Sequence, residues 1–348
     1  MDTSINCTIM SDLSTSVFLK LSLSINLFIC LCGYPVYLWA SWILWSAKNS
    51  KLLHVNFKII LQLHLFGFLF HCTGRIALHG MDLMNYMTTI DPCDMIPNIY
   101  RCFILRLMYN SGLWLTNSTA VSLILERWLA TRRSVTYEED SVLIGVFCAG
   151  VQFVVAALPL AFLYSQTRFQ GVTMYYCVTA VTSAPYSAQV GPTVSIMFQV
   201  AALVSFHHLL RVNKVRIADA YEKPENQQAT LQKQRELDMH TSLSNRYQLE
   251  QNICSITCLK TFAAMAFVYI VFQNACYITL MQFAAGLEKY QYYAILEING
   301  SWPLYGIISI LVLARTMKKI RENIERELKG HLKIPNKMYI ENFKKQIA

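Results

Sequence analysis

Seven long apolar runs constrain this chain more than any other feature: Leu21–Trp45, Phe57–Leu78, Phe103–Leu125, Val142–Tyr164, Val190–Leu210, Ile253–Phe283 and Tyr292–Ala314. A hydrocarbon core of roughly 30 Å is crossed by about 20 apolar helical residues, so each run is long enough to span a bilayer. Pro185 and Pro192 punctuate the start of the fifth run, and the sixth is long enough to tilt or to extend beyond the membrane. Composition agrees. Hydrophobic types make up 54% of the 348 residues and charged types 15%, against about 25% charged in a soluble domain. A core of this size cannot hide so much apolar sequence, and much of it must face lipid. Disorder, a collagen-like fibre and a disulfide-dense mini-protein are excluded by the same figures. The expected fold class is an all-α membrane protein, a seven-transmembrane helix bundle over residues 21–316, with residues 1–20 and 317–348 outside it. The first twenty residues hold Asp2, Asp12 and Lys20 and no apolar stretch of the signal-peptide kind. The first span is therefore expected to act as its own insertion signal.

The net charge of +9 suits nucleic acid or an anionic membrane surface, and the placement of the basic residues decides between them. With the N-terminus outside, 22 Lys and Arg fall on inner segments and four on outer ones (Lys20, Arg101, Arg168, Lys289). Another four, Lys58, Arg75, Arg106 and Lys260, lie within spans. Basic residues concentrate on the cytoplasmic side of membrane proteins. The expected topology is N-terminus out and C-terminus in, with the bilayer and not nucleic acid as the surface served. Of eleven cysteines, Cys7, Cys93, Cys102 and Cys177 fall on the outer, oxidising side. Asn6-Cys7-Thr8 is a glycosylation sequon on the expected outer tail, whereas those at Asn117 and Asn299 fall inside spans. The Gln-rich stretch Lys223–Arg235 reads as a solvated inner loop. Beyond the last span, Met317, Ile320, Ile324 and Leu328 recur at helical spacing among Lys318, Lys319, Arg321 and Arg326, which suits a short amphipathic helix on the inner leaflet.

Polar residues inside spans are functional candidates by default. His64, His71, Arg75 and His79 fall within about 80° of one another on the second helix, and Arg106, Asn110 and Asn117 within about 40° on the third. Glu297, in the seventh span, and Asp82, just beyond the second, supply opposite charge. These stripes imply either a structural network between helices or a pocket for an anionic or hydrogen-bonding small molecule. Its candidate residues are His71, Arg75, Arg106, Tyr109, Asn110, Gln273 and Glu297. No paired histidine boxes occur, and His207-His208 stands alone at an inner helix end. An enzyme, a metal site and a cofactor are not expected.

Seven spans with a basic interior resemble a serpentine receptor of the G-protein-coupled kind. Cys102 precedes Glu126-Arg127 by the separation that rhodopsin-like receptors show between the third-helix cysteine and an acidic–Arg pair. At 1.5 Å per residue that separation is about 37 Å, enough to cross the hydrocarbon core. The resemblance implies a bridge from Cys102 to the second outer loop, where Cys177 is the candidate; a bridge to Cys93, or none, is the alternative. It also implies a switch in which Arg127 leaves Glu126 to contact an intracellular partner, against the plainer reading of a snorkelling Arg.

The particular residues resemble a nematode chemoreceptor of the Sra superfamily, closest to the alpha and alpha-beta classes. The resemblance rests on His54-x-Asn56-Phe57-Lys58, Arg75-Ile76 with His79 and Asp82, Cys93-Asp94, Arg101-Cys102 with Arg106, Glu126-Arg127-x-x-Ala130-Thr131 with Tyr137-Glu138, and Leu243-Ser244-x-Arg246-Tyr247-Gln248-Leu249-x-x-Asn252. It covers roughly residues 50–320. It implies an olfactory-type plasma-membrane receptor of sensory-neuron cilia, with a small-molecule ligand and a heterotrimeric G protein as partners. Arg246 is then expected to join Glu126 and Arg127 at the switch. Two departures from rhodopsin-like receptors stand out: the sixth span lacks proline, and Asn299, Pro303 and Tyr305 do not form a compact Asn-Pro-x-x-Tyr motif. A seven-span channel or transporter is the alternative class, disfavoured by the absence of repeated halves and by the outside N-terminus.

Overall fold

The apolar runs fold as helices whose lipid-facing and buried stripes can be read residue by residue. The computed structural model describes residues 3–46, 54–133, 137, 142–165, 174–177, 185–222 and 232–331. In chain order the helices are α1 (Thr3–Thr15), α2 (Val17–Trp45), α3 (Val55–Thr88), α4 (Ile99–Arg132), α5 (Leu143–Tyr164), α6 (Pro185–Glu222), α7 (Gln232–Phe283), α8 (Lys289–Asn299) and α9 (Trp302–His331). A 3₁₀ turn at Pro92–Met95 precedes α4. No strand occurs among the described residues.

α5 shows the simplest logic. It buries Gly145, Cys148, Gln152 and Ala156, one narrow stripe at helical spacing. Leu143, Val146, Phe147, Phe153, Val154, Leu158 and Phe162 point outward, as a helix facing hydrocarbon requires. α4 is the opposite case. Among the described residues, six stretches are long and apolar enough to cross a membrane, and the third run is not one of them. α4 nevertheless has 34 residues, about 51 Å of helix. Its Thr116, Asn117, Ser118, Thr119, Ser122 and Glu126 are all buried, because α3, α5, α6 and α7 pack around it. Hydropathy measures contact with lipid, and the central helix has little. α3 and α4 approach so closely that a Cβ on Gly112 would lie 2.4 Å from the Gly67 carbonyl oxygen and 2.5 Å from the His71 nitrogen.

Three features differ from the expectations. Residues 3–15, expected as a plain tail, form α1, with Met10 and Leu13 fully buried beside Leu23, Tyr86, Met95 and Tyr293. The seventh run is two helices. α8 ends at Gly300, and α9 starts with Pro303 in its first turn, where the missing N–H costs nothing. The Tyr37 hydroxyl donates to the Pro303 carbonyl at 2.7 Å, and Trp302 Nε1 donates to Thr116 Oγ1 at 3.0 Å, bolting the break to α2 and α4. Finally, α9 runs through the expected boundary at 316/317 to His331, so the amphipathic residues 317–331 continue the seventh helix. Of the Gln-rich stretch, residues 223–231 lie outside the described ones, and Gln232–Arg235 already belong to α7.

Candidate functional site

Two buried polar clusters stand at opposite ends of the bundle. The first forms where α8 delivers Glu297 against α3 and α4. Its Oε1 accepts from Arg106 Nη2 at 2.9 Å and from the Tyr176 hydroxyl at 3.0 Å. Its Oε2 lies 3.3 Å from Arg75 Nη2 and 3.4 Å from His79 Nε2. Arg75 Nη1 also donates to Asn26 Oδ1 at 2.8 Å, and Asn26 Nδ2 returns a bond to the Glu297 carbonyl at 2.9 Å. Tyr109 lies under both cations, its ring centroid 5.4 Å from Arg75 and 4.9 Å from Arg106, and its hydroxyl accepts from Arg106. Glu297 is 1% exposed and Arg75 3%. Charges so far from water persist only when paired and hydrogen-bonded. A second pair, Arg101–Asp82 at 2.9 Å, flanks the cluster.

Two disulfides pin covers at this end. Cys102, in the first turn of α4, is bonded to Cys177, which fixes Tyr176 over Glu297. Tyr176 also stacks on Tyr293 of α8, centroids 4.7 Å apart. Burial, and then the Glu297 charge, push the Tyr176 hydroxyl well above the usual tyrosine value. It therefore remains a donor. Cys7 is bonded to Cys93, which ties α1 to the 3₁₀ turn.

Of the pocket candidates, Arg75, Arg106, Tyr109 and Glu297 meet in this cluster. His71 adjoins it through its Nδ1 contact to the Tyr109 carbonyl at 2.9 Å. Asn110 instead donates to the Tyr164 hydroxyl of α5 at 2.8 Å. Gln273 exchanges bonds with Asn299, 3.2 Å to its carbonyl and 3.1 Å from its amide, and so ties α7 to the end of α8. Asn26 and Tyr176 were not among the candidates. A lone amide in the first apolar run and a tyrosine beside a half-cystine are the signals that mark them.

At the opposite end, α4 closes with Glu126 and Arg127, 0% and 4% exposed. Arg127 grips both oxygens of Glu126 through Nε and Nη2, and Nη1 reaches Asn252 Oδ1 on α7 at 2.9 Å. The Tyr137 hydroxyl donates to Glu126 Oε1. Phe57 of α3 lies under the guanidinium, 5.3 Å from its centre. Arg127 is thus buried and bidentate rather than snorkelling. Burial, and then the Glu126 charge, raise the Tyr137 hydroxyl above its ordinary range, keeping it a donor. Arg246 lies on α7 six residues before Asn252, and its side chain is outside the described ones, as is that of Asn6.

A lipid-faced helical bundle, a disulfide from the central helix to the segment covering one end and an acidic–Arg pair at the other define a serpentine membrane receptor. The family of serpentine type 7TM GPCR receptor class ab chemoreceptors matches residues 4–348, and the chain belongs to it. It is 26% identical to serpentine receptor class alpha/beta-14 of Caenorhabditis elegans over 71% of its own length and 60% of that protein's. It is 23% identical to class beta-17 and 22% to class beta-16 of the same organism, over 76% and 77% of this chain and 69% and 74% of theirs. The chain thus spans less than two thirds of the alpha/beta-14 receptor.

Proposed function

We propose that this multi-pass membrane protein is a chemosensory G-protein-coupled receptor, with its disulfide end outside and its Arg127 end in the cytoplasm. A small molecule acts at the Glu297 cluster, and a heterotrimeric G protein engages the opposite end. The reading extends to the plasma membrane of sensory-neuron cilia, which the family resemblance implies. The 22-to-4 distribution of basic residues supports the orientation, and the four outer half-cystines suit an oxidising compartment.

The observation that carries the reading is the tie from Arg127 to Asn252. It joins the centre of the bundle to α7, so parting α7 from α4 must break it. Released from Asn252, Nη1 turns its donors to an incoming partner while Nε and Nη2 keep Glu126. The Glu297 cluster joins α8 to α3 and α4, so a ligand that competes for Arg75 or Arg106 loosens α8. Binding then shifts the bundle to the extent that the ligand prefers the loosened state.

The test is ligand-evoked calcium in cells expressing the chain, screened against volatile and soluble chemicals with and without G-protein inactivation. Arg127→Lys, which keeps a cation beside Glu126 but cannot hold Glu126 and Asn252 together, abolishes the response while surface expression is retained; a wild-type response removes the switch role. Asn252→Ala raises basal signalling by releasing Arg127 from α7. A response that survives loss of G protein identifies a channel instead.

A further inference from the structure

Between the two clusters, in the middle of the bundle, a cavity is walled by five helices. His64 of α3, Asn117 of α4, Gln199 and Phe206 of α6, Ala266 of α7 and Trp302 of α9 line it. The space open to the centre of a water molecule is about 10 Å³, the size that accommodates one water. Two buried polar atoms on this wall have no hydrogen-bond partner, His64 Nε2 and Asn117 Oδ1. Each residue is 4% exposed.

The neighbouring bonds determine what these atoms need. The Thr119 hydroxyl accepts from Gln152 Nε2 at 2.8 Å and contacts His64 Nδ1 at 2.9 Å and the Leu115 carbonyl at 3.2 Å. That carbonyl also accepts from Gln152 Nε2 and from Ser118 Oγ, both at 3.0 Å. The Thr119 hydrogen therefore has two acceptors in reach, and His64 Nε2 is a lone pair in one tautomer and an N–H in the other. The Asn117 oxygen accepts in both. The occupant must donate to the amide oxygen and meet either imidazole tautomer in the volume of a single heavy atom, and a water does both. Among the described residues no carboxylate lines the wall to balance a metal cation. We propose that this cavity is a binding site for one ordered water, which bridges His64 Nε2 and Asn117 Oδ1.

The site links α3 to α4 against walls supplied by α6, α7 and α9, the helices whose packing a change of bundle state would alter. Its hydration therefore reports that state, independently of where a ligand binds.

X-ray radiolytic footprinting of the full chain in nanodiscs tests this, because radicals form from water held beside a side chain. Trp302 and Phe206, both on the wall and 3% and 1% exposed, are expected to oxidise well above Tyr37, an equally buried aromatic outside the cavity. Ala266→Val keeps both polar atoms and fills the space, and Asn117→Leu keeps the volume and removes the amide oxygen. Either variant is expected to reduce the labelling to the Tyr37 level. Ala266→Val is further expected to lower the apparent Tm by about 3 °C or more, as two buried polar atoms lose their partner. Labelling in the wild-type protein no higher than that of Tyr37 overturns the proposal, with no variant needed. So does labelling unchanged by both substitutions, or a higher Tm for Ala266→Val, the mark of a dry cavity being filled.

Discussion

Glu297 holds its charge between two guanidiniums, with Arg106 bound at 2.9 Å and Arg75 at 3.3 Å. The stabilisation from such an arrangement is small beside the harm of breaking it, because a lone buried cation has lost its water and gained nothing. Glu297→Gln should therefore destabilise the chain by about 3–5 kcal/mol, seen as a lower apparent Tm in detergent and a poor surface yield. Adding Arg106→Gln should recover part of the loss, since it withdraws one of the stranded cations. Tyr176→Phe, which removes one bond to a carboxylate that keeps its guanidiniums, should lower stability by only about 1.5–3 kcal/mol. Equal losses for Glu297→Gln and Tyr176→Phe would argue against the ionic account. At this scale the charged members were legible in the sequence, because an Arg or Glu inside an apolar run has few alternatives to meeting its opposite. The neutral members were not. Asn110 shares a helical face with Arg106, but that face also adjoins α5, and Tyr164 takes its amide. A wheel gives a direction and not the partner at that depth.

Helix packing was legible wherever lipid contact determined it. α5 could be outlined from its apolar run alone, since only four of its residues are buried. α4 was legible as the third apolar run, Phe103–Leu125, although its buried Ser and Thr residues dilute its hydropathy. α1 could not be read at all. Its stability depends on Met10 and Leu13 finding a surface made by α2, α3 and α8, and on the link from Cys7 to Cys93. Thirteen residues rarely hold a helix in isolation. The contact between α3 and α4 gives the sharpest test at this scale. A methyl on Gly112 would meet backbone atoms, which cannot move aside without parting the helices. Gly80, on the same α3, has nothing within 4 Å of an added Cβ. Gly112→Ala should sharply reduce folded receptor, measured by size-exclusion profile and surface staining, and Gly80→Ala should leave both unchanged. A tolerated Gly112→Ala would mean that the helices are further apart.

For the molecule as a whole, orientation governs every functional statement. The proposed orientation, with the disulfide end outside and the Arg127 end inside, rests on one placement of charge, so its two halves stand or fall together. The basic residues are unlike the apolar runs in this respect: they mark sidedness without contributing to the packed core. Lys318 and Lys319, about midway along α9, and Arg132 at the end of α4 all belong to the richer side. Asn6 gives an independent check, since its sequon lies on α1, beside the half-cystine Cys7. A glycan is attached only in the lumen that becomes the outside. In cells, the wild-type chain should therefore run larger on a gel than Asn6→Gln, and digestion with a glycan-cleaving amidase should bring the two to the same mobility. Cys93→Ser leaves the sequon intact and should retain the shift while releasing α1 from the 3₁₀ turn. A chain that runs identically with and without Asn6 removes this support and leaves sidedness to the charge alone. An epitope placed after residue 348 that stains intact, unpermeabilised cells would invert the topology, and would exchange the roles assigned to the Glu297 and Arg127 clusters.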